Sequence, residues 1–227
     1  MEAYLSSLSL IGLIGRLPAS VAQGLIWGIM ALGVYVTFRL LDIADLSVDG
    51  TFATGGAVTA MLIIAGVNPW TSMIIALICG LLVGCVTGFL HTKLGIPAIL
   101  AGILTQYALY SINLAIMGFK ANQAISVDKY YLLISSRNIP PAIVTGLGFV
   151  IVVIAVMYWF FGTEMGSALR ATGCNPTMSK AQGININTMK VLGLAISNGL
   201  VSLAGCLSAQ YSGFADVKSG QGAIVIG

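Results

Sequence analysis

Six long apolar segments are the feature of this sequence that most constrains its fold. A helix needs about 20 apolar residues to cross the hydrocarbon core of a bilayer. The six segments are residues 19–41, 47–66, 70–90, 96–117, 142–161 and 188–210. Only 7% of the residues are charged, against roughly 25% in soluble domains, so a soluble fold could not cover its own surface. We therefore predict an all-α polytopic membrane protein, built as a bundle of six transmembrane helices.

The placement of Lys and Arg bears on how this bundle is oriented, because both favour the cytoplasmic side of short loops. One side would hold Arg39, Lys93, Arg170, Lys180 and Lys190, and the other Arg16, Lys120, Lys129, Arg137 and Lys218. The count is a tie, but the 118–141 connection is long, and long loops obey the rule poorly. We expect the N-terminus outside and the 162–187 connection in the cytoplasm.

Small residues recur at helical spacing within the apolar segments. Gly80, Gly84 and Gly88 stand four residues apart in the third segment, and Gly24 and Gly28 begin a similar face in the first. Helices in lipid associate through small residues that let their backbones approach closely. The pattern predicts a closely packed bundle rather than independent helices.

Three carboxylates gather where the first segment ends and the second begins, at Asp42, Asp45 and Asp49. A charged side chain at the centre of a bilayer costs about 2.5–3.5 kcal/mol on insertion scales, so these belong at an interface or in a wet cavity. In one interpretation, Asp45 or Ser47 caps the second helix, and Asp49 in its first turn suits the positive end of the helix dipole.

A second interpretation makes this segment a discontinuous helix. Gly50 and the pair at 55–56 weaken it, and unwound backbone at membrane depth is tolerated only beside protein or water. The sequence leaves both interpretations open.

Polar side chains are sparse elsewhere in the apolar segments. Gln106 and Asn113 lie seven residues apart in the fourth segment, hence on one helical face, and Asn198 lies in the sixth. Such amides bond neighbouring helices or line a path, and interhelical bonding is the commoner role.

The 162–187 connection is marked by helix-capping residues. Thr163 can cap a short helix that stops at Gly173. Asn175 followed by Pro176 can start another, and Gly183 ends it where a left-handed residue is wanted. A plain linker needs no such boundaries, so we predict a short cytoplasmic helix that docks a partner.

The sequence lacks the residue patterns that several other classes of protein function require. The sequence has a single histidine, His91, and no Ser/His/Asp or His/Glu cluster that would support hydrolysis. The four cysteines show no metal-ligand spacing, and no Gly-x4-Gly-Lys loop occurs. We expect no catalytic residue, metal site or cofactor on this chain and no nucleic-acid partner.

The 162–187 connection resembles the cytoplasmic signature of ABC importer permeases, in the family that includes the branched-chain amino acid and ribose permeases. Residues 166–175 read Gly-x-Ala-Leu-Arg-Ala-x-Gly-x-Asn, residues 181–184 read Ala-x-Gly-Ile, and Gly199 and Gly205 follow. Residues 23–33 and 45–57 are similar to the first two spans of the family. The Leu-Ser-Val-Asp-Gly sequence at 46–50 is closest to a subgroup often assigned to tryptophan or tyrosine uptake.

The resemblance implies a single permease domain over 1–227, in the bacterial inner membrane, that moves a small amino acid-like solute with ATP hydrolysed by a partner. The implied partners are cytoplasmic ABC ATPases, a second permease subunit (identical or not) and an extracytoplasmic binding protein. The implied coupling residues are Glu164, Gly166, Arg170, Ala171, Gly173, Asn175, Pro176 and Gly183. Candidates for the translocation path are Asp45, Ser47, Asp49 and Thr51 by resemblance, and Gln106, Asn113 and Asn198 by their polarity.

The sequence supports two further expectations. Family members usually continue through more spans, whereas this chain stops at Gly227 inside a new apolar segment, so we expect it to be incomplete at its C-terminus. A different transport class, the ion-coupled secondary transporter, remains an alternative in which Asp45 or Asp49 is the coupling site. A membrane enzyme is disfavoured by the missing catalytic cluster.

Overall fold

The computed structural model describes residues 10–126, 130, 132–137 and 139–222, and within them six helices are long and apolar enough to cross a membrane. The predicted class is therefore confirmed. In chain order the elements are α1 (Leu10–Tyr35), a π-helical turn (Val36–Leu40), α2 (Ser47–Ile64), α3 (Pro69–Thr92), α4 (Ala98–Ile116), β1 (Asn122–Ala124), α5 (Ile139–Gly162), α6 (Glu164–Cys174), α7 (Pro176–Ala181), α8 (Ile186–Ser212) and β2 (Phe214–Asp216).

The six long helices fall on the six predicted segments, with ends displaced by a few residues. The largest difference is at the first, where the described helix begins at Leu10 and continues through the π-helical turn to Leu40. Strands β1 and β2 pair antiparallel, with Asn122 opposite Asp216, and three residues are too few for a strand to be recognised from periodicity. The new apolar segment expected at the C-terminus falls largely on 223–227, outside the described residues.

Helix α8 is the centre of the bundle. It packs against α1, α2 and α3, while α4 covers α2 and α3, and α5 packs against α1 and α6. Among the six spans, α2 and α8 are the most buried, and α4 and α5 are the least. The outer surface of α5 carries large apolar side chains such as Ile151 and Trp159, which suits contact with lipid.

The glycines of α3 let it lie directly on α8, as their spacing predicted. A Cβ atom added at Gly84 would overlap the carbonyl oxygen of Leu194, and one added at Gly88 would lie 2.8 Å from the Cα of Val191. The similar face expected at Gly24 and Gly28 is not used in this way, since no atom of the described residues lies within 4 Å of a Cβ built at either position.

Helix α2 runs without interruption from Ser47 to Ile64, so the discontinuous-helix interpretation is wrong. Its glycines serve close packing instead. A Cβ at Gly55 would overlap the backbone of Ser202 in α8, and one at Gly50 would lie 3.1 Å from the Cα of Gln106 in α4. Glycine weakens an isolated helix, but here the neighbouring helices hold the backbone on both sides.

Replacing Gly84 by leucine is expected to destabilise the bundle, because α3 and α8 would have to separate to admit the side chain. Overpacking of this kind typically costs about 1–3 kcal/mol. Gly148→Leu in α5 is the matched control, since a Cβ built at Gly148 meets no described atom within 4 Å. Thermal unfolding of the purified variants in detergent measures the difference, and equal midpoints for the two would contradict the close α3–α8 contact.

Candidate functional site

Four of the predicted path residues form one buried polar network where α2 meets α8. Asp45, Ser47, Thr51 and Asn198 are each at most 1% exposed. Asp45 Oδ1 accepts hydrogen bonds from the backbone N–H of Ser47 at 2.9 Å and from its hydroxyl at 2.6 Å. The amide Nδ2 of Asn198 donates to Asp45 Oδ2 at 2.8 Å. The carboxylate therefore accepts the first backbone N–H of α2 and ties this helix to α8, although the N-cap residue is Leu46 rather than the predicted Asp45 or Ser47.

The hydrogens of this network are fully used. Each hydroxyl has one hydrogen to donate. Ser47 Oγ donates to Asp45 Oδ1, and Thr51 Oγ1 lies 2.6 Å from Asn198 Oδ1 and 3.0 Å from the Ser47 carbonyl oxygen. The second amide hydrogen of Asn198 goes to the Leu194 carbonyl at 3.0 Å. A buried network of this kind rigidifies a core, and none of these hydrogens is left to donate to a ligand.

The other three predicted path residues, Asp49, Gln106 and Asn113, line a separate cleft of about 310 Å³ between α2, α4 and the chain after β2. We call it the Asn113 cleft. Its remaining lining residues are Gly50, Tyr107, Tyr110, Val217, Lys218 and Gln221.

Asn113 is the unusual residue of this cleft. Its side chain is fully buried, its Nδ2 reaches the Gly50 carbonyl at a long 3.4 Å, and its Oδ1 has no hydrogen-bond partner among the described residues. The Gly50 carbonyl sets the orientation of the amide, because a flipped Oδ1 would face another acceptor. Buried acceptors without a partner are rare in native structures and call for an explanation.

The chain after β2 returns to the middle of the bundle to close one side of the cleft. The Gly222 N–H donates to Asp49 Oδ2 at 3.1 Å, and a Cβ at Gly220 would overlap the carbonyl oxygen of Asp49. Thr51, two residues further along α2, bonds Asn198 near the middle of the 27-residue α8. Gly220 and Gly222 therefore lie beside the first turn of α2, at about the level of the middle of α8.

Sequence reasoning missed most of the residues that complete this cleft. Tyr110 lies between Gln106 and Asn113 at spacings of four and three, so the helical period of α4 could have found it. The distribution of Lys and Arg places Lys218 on the outer side of the membrane. Nothing in the sequence pattern indicates that the chain turns back after β2.

The helix-capping residues predicted in the 162–187 connection do cap helices. Thr163 Oγ1 accepts from the Gly166 N–H at 3.3 Å, and Asn175 Oδ1 accepts from the Met178 N–H at 3.1 Å. Gly183 has φ +85°, the left-handed conformation expected after a helix end. The connection consists of two short helices, α6 and α7, that meet at Asn175.

The predicted coupling residues divide between the bundle and the outer surface. Cβ atoms at Gly166 and Gly173 would overlap the carbonyl oxygens of Phe160 and Leu40, so both glycines hold α6 against the bundle. Ala171 is half-buried. The remaining five, Glu164, Arg170, Asn175, Pro176 and Gly183, are exposed, although the Arg170 guanidinium also donates to the Phe161 carbonyl at 2.9 Å.

A bundle of membrane-crossing helices with a polar cleft at half depth and a capped helical element at one end is the architecture of a membrane permease. The chain belongs to the family described as the permease component of the branched-chain amino acid transport system, whose model matches residues 17–227. It is a permease component of an ABC-type transport system and a multi-pass protein of the bacterial inner membrane.

Two of the relatives that this chain resembles are named for the transport of different solutes. The tyrosine transport system permease protein of Clostridioides difficile (strain R20291) is 43% identical over 205 residues, covering 90% of this chain and 68% of the relative. An uncharacterised protein of Rickettsia prowazekii (strain Madrid E) is 34% identical over 211 residues, covering 93% and 74%. The ribose import permease protein RbsC of Escherichia coli (strain K12) is 27% identical over 200 residues, covering 86% and 61%. No solved structure matches the chain with statistical significance.

Replacing Asn198 by leucine is expected to lower the stability of the protein, because the buried Asp45 Oδ2 loses the amide that donates to it. A hydrogen bond to a charged group is worth about 1.5–3 kcal/mol. Thr87→Val is the control: it removes the buried bond from Thr87 to the Thr105 hydroxyl, but Thr105 keeps its own bond to the Ala101 carbonyl at 2.9 Å. If the melting temperature of Asn198→Leu is no lower than that of Thr87→Val, the network does not hold α2 to α8.

Proposed function

We propose that this chain is the membrane-spanning subunit of an ABC importer that moves a small amino acid-like solute into the cytoplasm with ATP hydrolysed by a partner chain. The observation that carries the proposal is the α6–α7 pair, capped at both starts and held to the bundle by Gly166 and Gly173. Family membership supports the importer class, and the relative named for tyrosine transport supports an amino acid as solute.

The partners in this proposal are cytoplasmic ABC ATPases, a second permease subunit and an extracytoplasmic binding protein that delivers the solute. The exposed side of α6–α7 would lie in the cytoplasm and bind the ATPase. Met165 and Met178 are 48% and 59% exposed on it, and methionine side chains adapt readily to a partner surface.

A continuous set of contacts leads from α6 to the polar residues inside the bundle. Gly173 lies against the Leu40 carbonyl at the end of the π-helical turn. Leu41 and Ile43 form a buried cluster with Leu169 of α6, and the same connection then delivers Asp45 to the start of α2. Packed side chains and hydrogen-bond networks of this kind carry coupling between sites. A displacement of α6 by the ATPase would thus reach the start of α2.

Reconstitution distinguishes this proposal from ion-coupled transport. Proteoliposomes that contain the permease, its ATPase and its binding protein should take up labelled L-tyrosine only when ATP is supplied to the ATPase side. Dissipating proton and sodium gradients with ionophores should leave that uptake unchanged. Uptake that persists without ATP and collapses with the ionophores would favour the secondary transporter instead.

Met178→Asp is expected to prevent the ATPase from co-purifying with the permease, because it places a charge on the proposed contact surface without touching the bundle. Loss of a central interface side chain weakens binding by about tenfold or more. Phe119→Asp is the matched control, since Phe119 is 80% exposed and lies beyond the opposite end of α4.

Both variants should keep the melting temperature of the unmodified permease. Retention of the ATPase by Met178→Asp at the level of Phe119→Asp would show that α7 is not part of the contact.

A further inference from the structure

We propose that the Asn113 cleft is a binding site for the zwitterionic head group of an amino acid in transit through the membrane. The inference rests on the proposed import function and names the chemistry by which the solute is recognised. It starts from Asn113, a buried residue that lines the cleft and whose Oδ1 has no partner among the described residues.

The Asn113 oxygen calls for a hydrogen-bond donor. Leaving a buried acceptor unpaired costs about 1–3 kcal/mol, and the fixed orientation of the amide prevents relief by a flip. An ammonium group carries three donors and could serve this oxygen together with the carboxylate of Asp49, which lines the same cleft.

Charges of both signs border the cleft. Lys218 and Gln221 come from the returning chain, and Asp49 comes from α2. Charged side chains within a membrane bundle face protein or a wet cavity rather than lipid. The head group of an amino acid offers an ammonium to Asn113 and Asp49 and a carboxylate to Lys218, so each of its charges meets a lining residue of opposite charge or a polar acceptor. A sugar offers neither charge.

The opening of the cleft suits the rest of such a solute. Tyr107 and Tyr110 are 73% and 38% exposed and border the cleft beside Val217, so rings and an apolar side chain are available to the solute. The volume of about 310 Å³ lies at the small end of the range for ligand pockets, roughly 300–1,000 Å³.

The first measurement is the melting temperature of the purified, complete permease with added solutes. L-tyrosine should raise it. Tyramine, which lacks the carboxylate, and 3-(4-hydroxyphenyl)propionate, which lacks the ammonium, should raise it much less, and ribose should have no effect. A shift with ribose in place of L-tyrosine, or equal shifts with the two truncated analogues and L-tyrosine, would overturn recognition of a zwitterion.

The second measurement uses variants. Asn113→Leu should weaken L-tyrosine binding by at least about tenfold, yet leave the melting temperature without solute unchanged or higher, because it removes an unpaired polar atom. A merely structural Asn113 would instead lose stability, as expected for Asn198→Leu, and that result would overturn the site. Lys218→Gln should weaken binding to a similar degree, while Lys93→Gln, at an exposed lysine just beyond α3 that does not line the cleft, should bind as the unmodified protein does.

The two proposals fail in different ways. If ATP-driven uptake is absent but L-tyrosine still raises the melting temperature and Asn113→Leu abolishes that rise, import is wrong and the site stands. If uptake is ATP-driven and Asn113→Leu and Lys218→Gln transport and bind L-tyrosine normally, import stands and the site is wrong.

Discussion

Direct backbone contact between α8 and its neighbours is the constraint on which the rest of the bundle depends. Lipid provides no hydrophobic force between helices, so close van der Waals packing and interhelical hydrogen bonds must hold them together. Gly55 and Gly84 bring α2 and α3 onto α8 without intervening side chains. Serines on α8 then reach carbonyl oxygens of the neighbours, Ser197 to Gly33 at 2.7 Å and Ser202 to Ala76 at 2.6 Å. The same closeness places Asn198 within hydrogen-bond reach of α2.

The polar residues inside this bundle fall into two groups that differ in whether their hydrogen-bonding atoms have partners, and this difference separates their roles. Around Asp45 the side-chain hydrogens of Ser47, Thr51 and Asn198 all have acceptors within the chain itself, which stabilises one geometry. Around Asn113 an acceptor is left unpaired next to charges of both signs. Residues that look alike in the sequence as isolated polar positions thus divide into a structural set and a set suited to binding.

The features of the structure that can be predicted from the sequence are those controlled by residues close together in the chain. The six spans follow from apolar length, and the α6–α7 boundaries follow from Thr163, Asn175 and Gly183, because capping acts within one turn. What it could not supply depends on contacts distant in the chain. Glycines that weaken an isolated helix made α2 look interrupted, although α4 and α8 hold it continuous. Lys218 reaches the cleft only because the chain turns back after β2, and a three-residue strand gives no periodic signal.

The start of α2 is where the structural and the binding sets meet. Ser47 and Thr51, one turn apart, face α8, whereas Asp49 and Gly50 lie on a different face and border the cleft. Because the Asp45 network locks the first turn of α2 to Asn198, a movement passed from α6 through Leu40 and Leu41 cannot be absorbed by fraying of that turn. In the coupling that we propose, it would displace the turn as a unit, and Asp49 with it relative to α4. In the import mechanism that we propose, an event at the helix pair α6–α7 would therefore change the geometry around a solute without unfolding the helix between them.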